Sequence, residues 1–195
     1  MQSLFDYIIS TNNRYNNTIN INNKKLIVNT EITERDYQFV NRIGTVLSIP
    51  KSNNSIIKEG DEVIVHHNVF RRWYDIQQNE RNSSSFLEEN KYIVPPDQIF
   101  AYKRDEKWKS LPGYCFVKPV YIEDEWSVCM DPNLYGELVY SNDVLTQLGV
   151  SKGDIVGFTP NSEYEFTIEG QKLYRILSNH ITINYGSKKE NNFSG

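Results

Sequence analysis

Apolar residues in this chain fall in short runs broken by turn formers, not in long helical stripes. Residues 5–9, Gly44-Thr45-Val46-Leu47, Val63-Ile64-Val65, Tyr92-Ile93-Val94 and Ile99-Phe100-Ala101-Tyr102 are such runs, and residues 114–120 open the second half in the same way. Runs of this length, rich in β-branched and aromatic residues and bounded by Gly, Asn and Asp, predict strands. Helical periodicity is scarce; residues 143–148 are its best example and span about one to two turns. The expected fold is therefore all-β.

The punctuation also repeats. Gly44-Thr45-Val46-Leu47, Gly60-Asp61-Glu62-Val63, Tyr92-Ile93-Val94 and Ile99-Phe100-Ala101 are matched in order by Gly136-Glu137-Leu138-Val139, Gly153-Asp154-Ile155-Val156, Tyr174-Arg175-Ile176 and Ile181-Thr182-Ile183. The spacings agree except in one loop. Each copy reads as strand, variable loop, strand, Gly-Asp turn, strand, hairpin, strand, a density of short elements that predicts a barrel or sandwich. In the Gly-Asp turn the glycine supplies an unusual φ, and the Val and Ile that follow pack on the pleat. The charged run Lys103-Arg104-Asp105-Glu106-Lys107 and the turn signal Leu111-Pro112-Gly113 place the boundary between copies. The expected domains are 1–104 and 113–186, with a disordered tail at 187–195.

Charge and composition narrow the partners. A formal net charge of -4 and a pI near 5.5 offer no broad attraction to nucleic-acid phosphates or anionic lipid. No apolar run reaches the length of a membrane span, and residues 1–15 lack the basic start and apolar core of a signal peptide, so a cytoplasmic protein with no membrane partner is expected. In that compartment Cys115 and Cys129 are expected to be reduced, structural thiols. The Asn doublets at 12–13, 16–17, 22–23 and 53–54 mark turns, because Asn tolerates left-handed backbone and bonds to its own main chain.

The order and spacing of these motifs resemble the GroES co-chaperonin family. The first copy carries the resemblance in Phe5-Asp6-Tyr7-Ile8-Ile9, Leu26-Ile27-Val28, Gly44-Thr45-Val46, Gly60-Asp61-Glu62-Val63, residues 88–92 and Asp97-Gln98-Ile99-Phe100-Ala101. The second carries it in Phe116-Val117-Lys118-Pro119-Val120, Gly136-Glu137-Leu138-Val139 and Gly153-Asp154-Ile155-Val156. The resemblance implies two small irregular GroES-like β-barrels in tandem and a homo-oligomer, a heptamer in the family, that caps a GroEL-type chaperonin ring and helps enclose a folding chamber for unfolded client protein. It implies no cofactor on this chain, ATP being bound by the chaperonin. A mobile loop, here about 16–42, would carry an aliphatic triplet that docks in a chaperonin groove, and by position the triplet is Leu26, Ile27 and Val28. Taken alone, these residues better suit an ordinary strand paired with 18–21 across Asn22-Asn23.

Seven is odd, so a ring of seven barrels cannot be built from whole two-barrel chains. The second copy has only residues 121–135 in place of the long loop, with no comparable triplet, which leaves the first copy alone to touch the chaperonin. Residues 49–58 are short for the roof hairpin of cellular members, and this reduction resembles the phage-encoded members, whose more open cage accommodates a capsid protein.

The first copy also carries an insertion at 71–90. Its cluster Phe70, Arg71, Arg72, Trp73 and Tyr74 has the composition of an interface anchor or an apolar cover over a barrel end, and it could also stack on single-stranded nucleic acid. No Gly-rich phosphate loop, nucleophile elbow or Cys-x-x-Cys pair occurs, so no catalytic residue is expected and the chain does not read as an enzyme. His66 and His67, as neighbours on a strand, would point to opposite faces, so no metal site is expected there. The acidic run Glu123-Asp124-Glu125 reads as a solvated loop. Two other functions fit the residues: a virion structural protein built from tandem barrels, and a nucleic-acid-binding barrel using Arg71 to Tyr74.

Overall fold

A computed structural model of the chain describes residues 2–15, 18–21, 24–27, 39–52, 54–120 and 134–187, the segments 18–21 and 24–27 through their backbone. Apart from one short α-helix and two 3-10 turns, the regular structure of the described residues is β, and the chain divides into two units, 1–106 and 107–195.

The first unit contains β1 (Tyr7–Ser10), β2 (Thr18–Ile21), β3 (Lys24–Ile27), β4 (Ile43–Ser48), β5 (Glu62–Val65), β6 (Arg72–Tyr74), β7 (Glu80–Asn82), β8 (Phe86–Glu88), β9 (Lys91–Val94) and β10 (Ile99–Arg104). Its main sheet is antiparallel in the order β10-β5-β4-β1-β9-β8. In β4 and β9 burial alternates residue by residue, as a pleat with one face on the core requires, whereas β5 is buried from Val63 to Val65. Phe70 and Tyr92, both fully buried, meet edge to face at 4.8 Å between ring centroids.

The second unit contains β11 (Lys107–Ser110), β12 (Tyr114–Pro119), β13 (Tyr135–Tyr140), α1 (Asp143–Gln147), β14 (Asp154–Phe158), β15 (Tyr164–Ile168), β16 (Gln171–Leu177) and β17 (Ile181–Ser187). Its sheet runs β17-β14-β13-β12-β16-β15. The helix is capped by Asn142, whose side chain accepts from the Leu145 amide at 3.0 Å. Cys115, Val117, Leu138, Leu145, Val156 and Ile176 form its core.

The two sheets are the same sheet twice, down to register. Ile9 pairs with Val46 on one side and Tyr92 on the other; Val117 pairs with Leu138 and Tyr174. Gly44 lies opposite Val63, and Gly136 opposite Val156. Ile99 lies opposite Val65, and Ile181 opposite Phe158. β1 and β12 each carry a register shift, at Ile8/Ile9 and at Phe116/Val117.

The Gly-Asp turns also match. Gly60 and Gly153 take φ of 90° and 93°, values that Gly adopts without strain, and their amides donate to the carbonyls of Val46 and Leu138, each at 2.8 Å. The Asp61 carboxylate accepts from the Lys58 amide, and that of Asp154 from the Ser151 amide, each at 2.8 Å.

The polar segment around the division between the units is mostly strand. Lys103 and Arg104 end β10, Asp105 and Glu106 take left-handed backbone, and β11 follows at once. Trp108 lies 6.1 Å from the Tyr140 ring, and the Ser110 hydroxyl donates to the Tyr140 carbonyl. A charged run can therefore be a strand, because only alternate positions need an apolar neighbour. Ser187 closes β17, while the rest of the expected tail lies outside the described residues. No helix among the described residues is long and apolar enough to cross a membrane.

Candidate functional site

Between β1 and β4 the first unit leaves its sheet for the loop expected at 16–42. Within it β2 and β3 pair antiparallel as a separate two-stranded sheet, with Ile19 opposite Leu26 and Thr18 opposite Ile27. Leu26 and Ile27 thus end the second strand of a hairpin, and as consecutive strand positions they belong to opposite faces. Val28, the third residue of the triplet, lies outside the described residues. Among the described residues this hairpin pairs with no other strand.

The roots of the loop are tied down at both ends. Tyr15 and Val40, both buried, form an isolated antiparallel bridge, and the Asn41 amide donates to the Arg14 carbonyl at 2.9 Å. The Asn41 side-chain nitrogen lies 2.8 Å from Thr11 Oγ1, the Asn13 carbonyl and the Ile43 carbonyl, so one side chain stitches the outgoing strand to the returning one.

The insertion at 71–90 braces the same roots. It folds into hairpin β6–β7, with Trp73 opposite Arg81 and Tyr74 opposite Glu80. Tyr15 Oη donates to the Arg72 carbonyl at 3.1 Å and accepts from the Arg72 amide at 3.0 Å. Arg14 donates through Nε to the Phe70 carbonyl at 3.1 Å and through Nη2 to the Arg71 carbonyl at 3.3 Å, and its Nη1 pairs with Glu80 Oε1 at 3.3 Å. Arg72 stands over the Tyr15 ring and also reaches Glu80. At the apex, Asp75 Oδ1 accepts from the Gln77 and Asn79 amides, both at 2.9 Å, and Oδ2 from Arg81 Nε at 3.1 Å.

Of the five residues expected at an interface, the structure separates one from the rest. Trp73 and Tyr74 are about half exposed and Arg71 and Arg72 are partly buried, but Phe70 is fully buried against Tyr92 and serves the core. Asn68, Arg71, Trp73, Ser83 and Ser84 line a cleft of about 600 Å³ beside the hairpin.

His66 and His67 differ from the expectation of opposite faces. β5 ends at Val65, so they enter a turn instead of continuing a strand, and their rings lie 4.2 Å apart with a 33° tilt. Burial pushes the His67 imidazole down to about 3, helped by the charges of His66, Arg42 and Arg71, so it is neutral at neutral pH. Among the described residues no group of three or more His, Cys, Asp or Glu side chains is placed to hold a metal ion. Cys115 is free and buried, its thiol pushed up to about 12 by that burial, which makes it unreactive; Cys129 and the 123–125 acidic run lie outside the described residues.

Sequence reasoning missed Arg14, Tyr15, Asn41 and Asp75. Asp75 had a local signal, an Asp followed closely by Asn in a polar stretch. The partners of Arg14 and Tyr15 are more than fifty positions away, and no local pattern announces them. No protein-family model matches the chain, and no curated protein matches it significantly.

Proposed function

We propose that this chain is a co-chaperonin of the GroES type, two small barrels in tandem that assemble as a ring of several copies and cap a GroEL-type chaperonin, enclosing unfolded client protein. The observation that supports this reading is the repeated sheet, of which only the first copy sends out a long loop from a root tied by Tyr15, Val40 and Asn41; the β2–β3 pairing within that loop is what an ordinary hairpin would also give. A loop firmly held at its base, with one aliphatic triplet in a largely polar span, suits docking on a groove of another protein. The second unit repeats the sheet without an aliphatic triplet in the corresponding connection, which supports one docking loop per chain.

The energetics suit a cap that must also release. Burying three aliphatic side chains contributes about 5 to 9 kcal/mol gross, at about 1.5 to 3 kcal/mol each. Ordering a loop offsets about 2 to 5 kcal/mol of that. One loop is then a weak ligand, while several on one ring bind tightly through avidity. The chain acts by binding and carries no catalytic step, the nucleotide cycle belonging to the chaperonin in the cytoplasm.

The test is association with a bacterial chaperonin in ATP or ADP. The chain should bind, and the variant with Leu26→Ser, Ile27→Ser and Val28→Ser should lose at least about 100-fold in affinity. Equal binding by the variant would reject the docking role of the triplet.

A further inference from the structure

The insertion and the long loop occur together. The first unit joins β1 to β4 through residues 11–42, and β5 to β8 through residues 66–85, which include hairpin β6–β7. The second joins β12 to β13 through 120–134 and β14 to β15 through 159–163. The same sheet order therefore forms without either extension, so the insertion is not a requirement of the fold.

Its bonds run to the root of the loop. Arg72 commits its main-chain N–H and C=O to one side-chain oxygen, Tyr15 Oη, at 3.0 and 3.1 Å, so the phenol takes the place that a further strand would hold beside β6. Arg14 donates from three nitrogens, to the Phe70 carbonyl, the Arg71 carbonyl and the Glu80 carboxylate, a spread that the compact ammonium of Lys cannot reproduce. Glu80 also pairs with Arg72 Nη1 at 3.4 Å, so one carboxylate on β7 ties both guanidiniums. The insertion is itself anchored: Val69 and Phe70 are fully buried, and the Ser83 hydroxyl closes its base by donating to the Val69 carbonyl at 2.6 Å.

On the other side of the root, the Asn41 amide donates to the Arg14 carbonyl at 2.9 Å. Arg14 thus joins the insertion to the returning strand. Singly these contacts are modest, neutral hydrogen bonds and partly exposed ion pairs. They converge on two adjacent residues, Arg14 and Tyr15, so they open together. A segment that docks on a partner binds in proportion to the fraction of molecules already in the competent arrangement, and a root fixed beforehand raises that fraction.

We propose that the insertion is a brace that fixes the root of the long loop, with Arg14, Tyr15 and Glu80 as positioning residues for docking by that loop. The brace itself stands on the bonds above; its effect on docking rests on the co-chaperonin reading.

The experiment compares the full-length wild type with Tyr15→Phe, Arg14→Lys and the double variant, in amide hydrogen exchange and in equilibrium binding to immobilised bacterial chaperonin in ADP. In Tyr15→Phe the Arg72 amide loses its acceptor directly, so the Asn41 amide across the root is the reporter. The Gly60 amide, bonded to the Val46 carbonyl, is the control. The expected result is exchange at Asn41 about tenfold faster in each single variant and faster still in the double, with Gly60 unchanged. Binding should weaken by about three- to tenfold. Unchanged exchange at Asn41, or an equal acceleration at Gly60, would overturn the brace whatever the chaperonin does. Faster exchange at Asn41 with wild-type affinity would overturn the positioning role and leave the co-chaperonin reading standing. If wild type itself does not bind, that reading and the positioning role fall together, and exchange at Asn41 alone decides the brace.

Discussion

Asp61 and Asp154 close the same turn in the two units with different company. Each accepts a backbone amide three residues upstream, but Asp61 also holds Arg104, with Nη2 to Oδ2 at 2.6 Å, whereas Asp154 accepts from the Asn184 side chain through Nδ2 at 3.2 Å. Burial alone would push the Asp61 carboxyl up; the Arg104 guanidinium and the Lys58 amide outweigh it and hold the carboxyl below its ordinary 3.8. A lowered carboxyl contributes stability that is present above the unfolded-state value and lost as pH falls through the folded one. The first unit should therefore lose stability below about pH 4, and Asp61→Asn should flatten that acid limb. At neutral pH, Asp61→Asn should lower the thermal midpoint by about 4 to 8 °C, and Asp154→Asn by less than about 4 °C, since an amide oxygen can still accept from Ser151. Thermal unfolding of both variants from pH 2.5 to 7 checks this; equal losses, or an unchanged acid limb in Asp61→Asn, would contradict it.

Within the elements, the duplicated strand pairs leave no room for a side chain at Gly44 or Gly136. A Cβ at Gly44 would meet Ile9 Cδ1 at 2.9 Å and the Ser10 carbonyl at 3.0 Å; at Gly136 it would meet Val117 Cβ and Cγ2 at 2.8 Å. The Ile9 methyl can swing aside, but Val117 Cβ is fixed to its backbone. Overpacking of this kind costs about 1 to 3 kcal/mol, so Gly44→Ala should fall at the lower end and Gly136→Ala at the upper. Urea unfolding measures both, and a Gly44→Ala loss exceeding that of Gly136→Ala would overturn the ranking. These glycines, the Gly-Asp turns, the short helix and strands β12, β13 and β16 were legible because turn chemistry and alternation are local signals. Hairpin β6–β7, strand β11 and the His66-His67 turn were not, since each depends on where a strand stops or what packs across from it. At the candidate site the same division holds: Leu26-Ile27 were singled out only by the family resemblance and Trp73-Tyr74 by composition, Phe70, grouped with them as an interface anchor or an apolar cover, is core, and the bonds joining Tyr15 to Arg72 had no sequence signal. Among the described residues the left-handed Asn residues are Asn90 and Asn161, both in connections between strands, while the Asn doublets at 16–17 and 22–23 lie outside the described residues.

On the scale of the whole molecule, one sheet order and one register serve twice, and the two units differ in what their connections carry. The first has the loop hairpin and its brace; the second has a short helix capped by Asn142 and compact turns. On the account proposed here, that asymmetry lets a chain with two similar domains present one docking loop, and seven chains present seven. The second sheet is then free of chaperonin contact, and the loop root in the first sets where the docking hairpin leaves. Native mass spectrometry of the purified protein, alone and mixed with a bacterial chaperonin plus ATP or ADP, tests this most directly. The account predicts a seven-chain species that joins the chaperonin only when nucleotide is present. A monomer, or any oligomer that ignores the chaperonin with and without nucleotide, would contradict it.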